Sequence, residues 1–453
     1  MMKYFIMILL IMFVYMLMNK MLMMNILFQN LIIIVMMMFF VNFSFIKLNM
    51  MDYYSMSYLF GLDYFSFWMI MLTIWIIILM MMASMMIVIQ KKFLFLFILN
   101  LLFMLLLLMM TFSVLNLMSF YFLFESSLIP TLFLILGWGY QVERIQAGVY
   151  MMVYTLFFSL PFLLMIFYMN MYMYSLDLIF MNLNKFMINL DLFMYFMMMM
   201  IFLVKIPMFM LHVWLPKAHV EAPVSGSMIL AGVMLKLGGY GIYRIMFIME
   251  NNLKFNLYFM VFSLIGGLYL SMVCLRQVDM KSLVAYSSVV HMSLVICGLL
   301  SMEYIGIQGA YLMMISHGIC SSGLFCLVNM FYERSMSRSL IINKGLLMYS
   351  PSMMMMWFML CMSNMSAPPS LNLISEIFLL ISLVSWGNFM FIILMMLLFI
   401  SSCYSLYLYS YVCYGKSMLL FSFKSFSVRE YMLMLMHLVP LNMLLLKLDL
   451  FIN

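Results

Sequence analysis

Four ionisable side chains stand where the sequence offers them no water. Glu125 ends the run Phe120-Tyr121-Phe122-Leu123-Phe124, and Lys205 follows Phe202-Leu203-Val204. Lys236 lies in Met234-Leu235-Lys236-Leu237 and Glu376 in Ile374-Ser375-Glu376-Ile377. In a lipid-embedded helix each costs about 2.5–3.5 kcal/mol, roughly 10–14 kcal/mol for the four, too much to leave unpaired against lipid. Two acids and two bases at such depth either lock helices together as static ion pairs or pass protons, and the mixture of signs favours a proton path. His291, after Ser287-Ser288-Val289-Val290, and His317, after Ile315-Ser316, fit the same chemistry because imidazole exchanges protons near neutral pH. For either alone, a packed, hydrogen-bonded histidine is the better reading. The neighbouring Ser287, Ser288, Ser293, Ser316, Ser321 and Ser322 raise the expectation of a hydrated file between them.

Proline marks the same places. Pro207 follows Lys205 by two residues and Pro368-Pro369 precede Glu376. An internal proline removes a backbone hydrogen bond and kinks or ends a helix, and the freed carbonyls are tolerated at membrane depth only against protein or water. These three prolines are expected hinges; ordinary kinks in a passive bundle are the alternative. Gly238-Gly239-Tyr240-Gly241 lies inside an apolar span, where small residues permit close helix contact. His212, Lys217, His219 and Glu221 around Pro216 look metal-like in spacing, but a solvated turn is the expectation. The seven cysteines, all from Cys274 onward and without a C-x-x-C pair, read as small buried hydrophobes. No Gly-rich dinucleotide loop, P-loop or cysteine ligand set is present. No cofactor and no metal is therefore expected in this chain.

The elements that must hold these groups follow from composition. Of 453 residues 69% are hydrophobic and 8% charged, with a mean hydropathy of +1.20. Soluble domains are about half apolar and a quarter charged, so a water-soluble enzyme is excluded and an all-α polytopic membrane protein is expected. A spanning helix needs about 20 apolar residues, and cutting the chain at polar and Gly/Pro breaks yields about fourteen. Three of the expected spans, 187–215, 220–249 and 349–383, carry Lys205, Lys236 and Glu376. Broken helices in matching places predict two inverted five-helix repeats, at 93–249 and 253–414. N-terminal helices at 1–92 precede them, and a loop and helix at 415–453 follow.

Charge in the alternating loops gives a direction. One set of loops holds Lys20, Lys91, Lys92, Arg144, Lys217, Arg276, Lys281, Arg334, Arg338, Lys344, Lys416, Lys424 and Arg429. The other holds Lys3, Lys47, Lys185, Arg244, Lys254 and Lys447. Positive charge is retained inside, which puts both termini outside. The net charge of +7 is spread thinly, with no basic cluster for nucleic acid or a lipid-binding tail. Seventy methionines beside scarce Ala, Gly and Pro resemble the product of an AT-biased animal mitochondrial gene reading AUA as Met. Met1-Met2-Lys3 leads straight into an apolar run, so no cleavable leader is expected.

Longer motifs carry a resemblance. Phe202-Leu203-Val204-Lys205-Ile206-Pro207, His212-Val213-Trp214-Leu215-Pro216-Lys217-Ala218-His219-Val220-Glu221-Ala222-Pro223 and Leu235-Lys236-Leu237-Gly238-Gly239-Tyr240-Gly241 closely resemble the antiporter-like membrane subunits of respiratory complex I. Phe124-Glu125-Ser126-Ser127-Leu128-Ile129-Pro130, Glu143-Arg144-Ile145-Gln146-Ala147-Gly148 and the glutamate at 376 are similar to the shorter of two related members. The resemblance covers roughly residues 61–376. It implies that Glu125 and Lys205 form a buried acid–base pair, Lys236 the central lysine, His291 and His317 the connecting relay, and Glu376 the outer terminus. It also implies a hetero-oligomeric setting among other membrane-arm subunits and lipids in the mitochondrial inner membrane, with electrons carried elsewhere. A free-standing cation/proton antiporter and a purely structural subunit are the other readings.

Overall fold

The computed structural model describes residues 1–17, 24–44, 53, 56–90, 92–183, 191–249, 253–416 and 423–451. The loop charges Lys20, Lys47, Lys91 and Lys185, and the expected span start at 187, lie outside these residues. About 82% of the described residues are helical. Apolar Leu, Met, Ile and Phe runs give this outcome because a backbone surrounded by lipid must satisfy its own hydrogen bonds.

In chain order the helices begin with α1 (Met2–Leu17), α2 (Met24–Ser44), α3 (Tyr64–Ala83), α4 (Met85–Gln90) and α5 (Leu94–Ser113). Next come α6 (Leu117–Ser126), α7 (Leu128–Trp138), α8 (Arg144–Met173), α9 (Leu178–Leu183) and α10 (Leu192–Lys205). After a break follow α11 (Trp214–Glu221), α12 (Val224–Ile229), α13 (Leu235–Met246), α14 (Leu253–Cys274), α15 (Met280–Leu300) and α16 (Tyr304–Ser335). The last are α17 (Pro351–Asn364), α18 (Leu371–Trp386), α19 (Asn388–Cys413) and α20 (Val428–Met443). Ten helical stretches among the described residues are long and apolar enough to cross a membrane, and four shorter apolar helices accompany them. The protein is a multi-pass membrane protein.

Polar residues mark where helices begin. The Ser66 hydroxyl accepts from the Asp63 N–H at 2.9 Å at the head of α3, and Asn116 Oδ1 accepts from the Met118 N–H at 2.9 Å at the head of α6. Ser427 and Glu430 close a capping box on α20.

Proline stops two helices beside the charges. Ile206 leaves the helical conformation directly after Lys205. Pro207 has no N–H, and the Leu203 carbonyl instead accepts from Met208 at 3.0 Å. The chain then re-enters helix through a 3-10 turn at Leu211–Val213. Likewise α17 ends at Asn364, and Pro368-Pro369 occupy the gap before α18.

The helices sort into an inner and an outer group. The stretch from α12 through α13, and α15 and α16, are buried almost throughout, whereas α8, α19 and α20 leave most of their length uncovered. Large side chains such as Phe157, Leu164, Phe389 and Phe399 are exposed on α8 and α19. Lipid or neighbouring subunits are the only surroundings in which such surfaces are stable.

Candidate functional site

Lys236 organises the centre. The turn before it, Leu230–Met234, is a π-helix, in which the Leu235 N–H reaches back five residues to the Leu230 carbonyl. The Ala231 carbonyl is thereby accessible to the Lys236 ammonium, which donates to it. Single π turns frequently sit at functional positions because they re-aim the side chains that follow. Lys236 is fully buried, and its Nζ lies 3.0 Å from Nδ1 of His317 on α16. Two glycines permit that approach: a Cβ on Gly318, next to His317, would meet the Gly232 carbonyl at 3.0 Å.

From His317 the polar groups continue. The His317 and His291 rings are 5.6 Å apart, centroid to centroid, at 46°. His291 Nδ1 lies 3.5 Å from Glu376 Oε1, and its Nε2 lies 3.4 Å from the Tyr404 hydroxyl. Lys236, His317, His291 and Glu376 thus form one buried series across α13, α16, α15 and α18. The serines between them direct their hydrogens into their own helices. Ser287, Ser288, Ser293, Ser316 and Ser322 donate to carbonyls three residues back, and Ser321 donates to the His317 carbonyl. Helical serines have a local acceptor within reach, and these take it.

Glu125 and Lys205 lie at interruptions. Glu125 is half-buried one residue before α6 ends, with Oε1 unpartnered. Lys205 is the last residue of α10, where a cation complements the helix dipole. Its Nζ is 3.4 Å from the Phe124 carbonyl and 3.8 Å from the centre of the Phe124 ring. No ion pair joins Glu125 to Lys205 among the described residues. Instead, acid and base flank the Phe124 peptide. The break of α10 rests on α13, where a Cβ on Gly238 would meet the Ile206 nitrogen at 2.9 Å. The glycines of α13 therefore bring the Lys205 break close to the helix that carries Lys236.

Three sequence expectations need correction. His219 and Glu221 are not in a solvated turn: α11 folds back into the bundle and buries both, leaving Lys217 outside over the Tyr150 ring at 3.8 Å. His219 stacks on Phe325 at 4.5 Å with both ring nitrogens unpartnered. Lys281, assigned to a loop, is buried beneath the Ala222 carbonyl, to which it donates at 3.4 Å. Arg244, also assigned to a loop, is buried in an ion pair with Asp63. The Arg244 guanidinium further donates to Tyr240 at 2.6 Å and to Tyr53 at 2.8 Å. The spacing of Tyr240 and Arg244, one helical turn, was the available signal for this cluster.

Near Glu221, a cleft of about 360 Å³ opens among Glu143, Gln146, Lys217, Glu221, Gln277 and Asp279. Among the described residues no group of three or more His, Cys, Asp or Glu side chains is placed to hold a metal ion. All seven cysteines are free thiols.

Comparison with known proteins identifies the architecture. Residues 114–401 match the family described as NADH:quinone oxidoreductase/Mrp antiporter, TM, and residues 1–111 match the NADH-ubiquinone oxidoreductase chain 4 amino terminus. NADH-ubiquinone oxidoreductase chain 4 of Ceratitis capitata is 49% identical over 418 residues, covering 90% of this chain and 92% of that protein. The chain belongs to the NADH-ubiquinone oxidoreductase chain 4 family. The chain 4 protein of Rhipicephalus sanguineus is 44% identical over 395 residues, covering 87% of this chain and 89% of the relative. The chain 4 fold also matches a chain in the solved structure of respiratory complex I from Thermus thermophilus with bound NADH. The TM-score is 0.88 over 99% of this chain and 97% of that one, at 19% identity.

Proposed function

We propose that this chain 4 family member is a proton-translocating membrane-arm subunit of respiratory NADH:ubiquinone oxidoreductase. It sits in the mitochondrial inner membrane with both termini on the intermembrane-space side, and other membrane-arm subunits and lipid cover its outer helices. It is the translocase part of the enzyme and holds no redox cofactor. Segments 93–249 and 253–414 act as its two repeats, each with one broken helix.

Protons move from the matrix through Glu125, Lys205, Lys236, His317, His291 and Glu376. The observation that carries this reading is the 3.0 Å approach of Lys236 Nζ to His317 Nδ1 inside the bundle. Two bases at that distance share a proton that either can hold. A carboxylate approaching an ammonium favours its charged form, and withdrawal frees the proton. Movement of Glu125 relative to Lys205 at the α6 and α10 breaks therefore sets the charge felt by Lys236. A proton expelled from Lys236 passes to His317, then to the His291 ring and the Glu376 carboxylate, which delivers it outward. Pro207, Pro368 and Pro369 supply the backbone interruptions at which such movements are absorbed.

Lys236→Met in the intact complex tests the reading. Met keeps the length and apolar bulk of the lysine stem and removes the proton carrier. The expected result is a complex of normal size on native gels with membrane potential and coupled NADH oxidation lowered at least tenfold. An assembled variant with wild-type potential would reduce the chain to a scaffold.

A further inference from the structure

We propose that Tyr404 is a positioning residue of the relay: its hydroxyl, on α19, holds the His291 ring so that Nδ1 stays beside Glu376. Three observations carry this. Tyr404 is completely buried. Its hydroxyl lies 3.4 Å from His291 Nε2. The opposite nitrogen of the same ring lies 3.5 Å from Glu376 Oε1, and neither of these two atoms has a hydrogen-bond partner in the resting arrangement. The groups facing the ring are Glu376 from α18, His317 from α16 with Lys236 behind it, and Tyr404 from α19, beside which Cys274 of α14 lies.

A phenol hydroxyl in an apolar interior is unfavourable unless it is hydrogen-bonded, and packing alone would be served by phenylalanine. The hydroxyl at 404 therefore has a use in its contact with His291. A neutral imidazole has one donor and one acceptor nitrogen, and the bond made at one nitrogen sets what the other offers. A hydroxyl can rotate to suit every state of the ring. It donates to a bare Nε2, which leaves the ring proton on Nδ1 facing Glu376. It accepts from Nε2–H when the ring is charged.

The transfer step then balances without rotation of the ring. The Nδ1–H bond of the imidazolium breaks and an O–H bond forms on the Glu376 carboxylate. The ring left behind is neutral and carries its remaining proton on Nε2, where the Tyr404 oxygen accepts it. Tyr404 ends the step with its own proton. Without the hydroxyl, Nε2 of the protonated ring loses this acceptor, and the ring is free to turn away from Glu376.

The inference rests on the relay reading above, and the test separates the two. Tyr404→Phe, Tyr407→Phe and Lys236→Met are made in the whole complex and compared for native-gel assembly, NADH oxidation, membrane potential and the pH profile of coupled turnover. Tyr407, partly exposed on the same helix, is the control. Tyr404→Phe should assemble normally and lose about tenfold in coupled turnover, the scale of a hydrogen bond to a charged group. The pH profile of its coupled turnover should also change shape, because the ring has lost its partner at Nε2. Tyr407→Phe should match the wild type. Wild-type turnover and profile in Tyr404→Phe, beside an inactive Lys236→Met, would overturn the Tyr404 assignment alone. Failure of Tyr404→Phe to assemble, or an equal loss at every pH, would make the hydroxyl a packing element and also overturn it. Wild-type behaviour in Lys236→Met would remove the relay itself.

Discussion

Lys236 Nζ and His317 Nδ1 stand 3.0 Å apart in the middle of the bundle, and among the described residues no carboxylate forms an ion pair with either. Two positive charges at that separation in a low dielectric repel strongly, so the pair holds at most one charge at a time. A site of this kind is suited to passing a proton and poorly suited to bracing helices, which an ammonium–carboxylate pair would do better. Its position, between a π turn and a glycine contact, fixes both partners on rigid backbone.

His317→Gln is expected to test the receiving side. Gln retains polar atoms near Lys236 but does not take a proton at physiological pH. The complex should assemble on native gels, with its proton-to-electron ratio reduced and coupled NADH oxidation slowed tenfold or more. Normal pumping would show that protons leave Lys236 by another path.

Glu125→Gln keeps volume and removes charge. Glu125 has an unpartnered Oε1, and no ion pair with Lys205 is present among the described residues. The substitution should therefore leave assembly nearly unchanged while removing the group whose approach would charge Lys205. Membrane potential at matched NADH oxidation should fall several-fold; an unchanged potential would remove Glu125 from the mechanism.

The residues that could be read from sequence are those whose burial contradicts their chemistry. Glu125, Lys205, Lys236 and Glu376 stand out because an apolar run makes a single charge conspicuous, and Pro207 and Pro368-Pro369 because proline cannot continue a helix. The all-α membrane fold followed from composition for the same reason. Asp63 and Lys281 were illegible, and of Arg244 only its one-turn spacing from Tyr240 was visible. Each lies near a helix end, where sequence does not distinguish a charge facing water from one facing another helix. His219 was misread because α11 is a broken half-helix that turns inward. Tyr404 is one of 29 tyrosines, and only the packing of α19 on α15 brings it to His291. The π turn before Lys236 has no compositional mark.

The Asp63–Arg244 pair predicts a stability effect separate from pumping. Both side chains are buried, and the guanidinium also binds Tyr240 and Tyr53. Removing one partner from a buried pair costs about 3–5 kcal/mol because the other charge is left uncompensated. Asp63→Asn should therefore lower the amount of assembled complex and its thermal midpoint. Asp63→Leu combined with Arg244→Met should recover much of the loss, since apolar replacement of both partners is often neutral. Equal damage in the single and double variants would contradict this account.

Lys205 and Pro207 allow charge and hinge to be separated. The Lys205 ammonium is held by the Phe124 carbonyl and ring rather than by Glu125, an arrangement in which acid and base are apart. Lys205→Met should insert more readily, by about 2.5–3.5 kcal/mol on insertion scales. It should nevertheless stop transfer through this subunit and slow NADH oxidation by the whole complex. Pro207→Ala acts differently. Leu203 now gives its carbonyl to Met208; an alanine at 207 supplies the N–H that a regular helix would direct to Leu203, and α10 is extended past Lys205. All ionisable groups survive, so turnover should fall to a lesser degree than in Lys205→Met, with assembly on native gels unchanged in both. Quinone reduction and membrane potential, measured together, decide the matter. An assembled Lys205→Met complex with wild-type turnover and full potential would make Lys205 a structural charge. Equal losses in the two variants would mean that the break in α10 matters as much as the proton it carries.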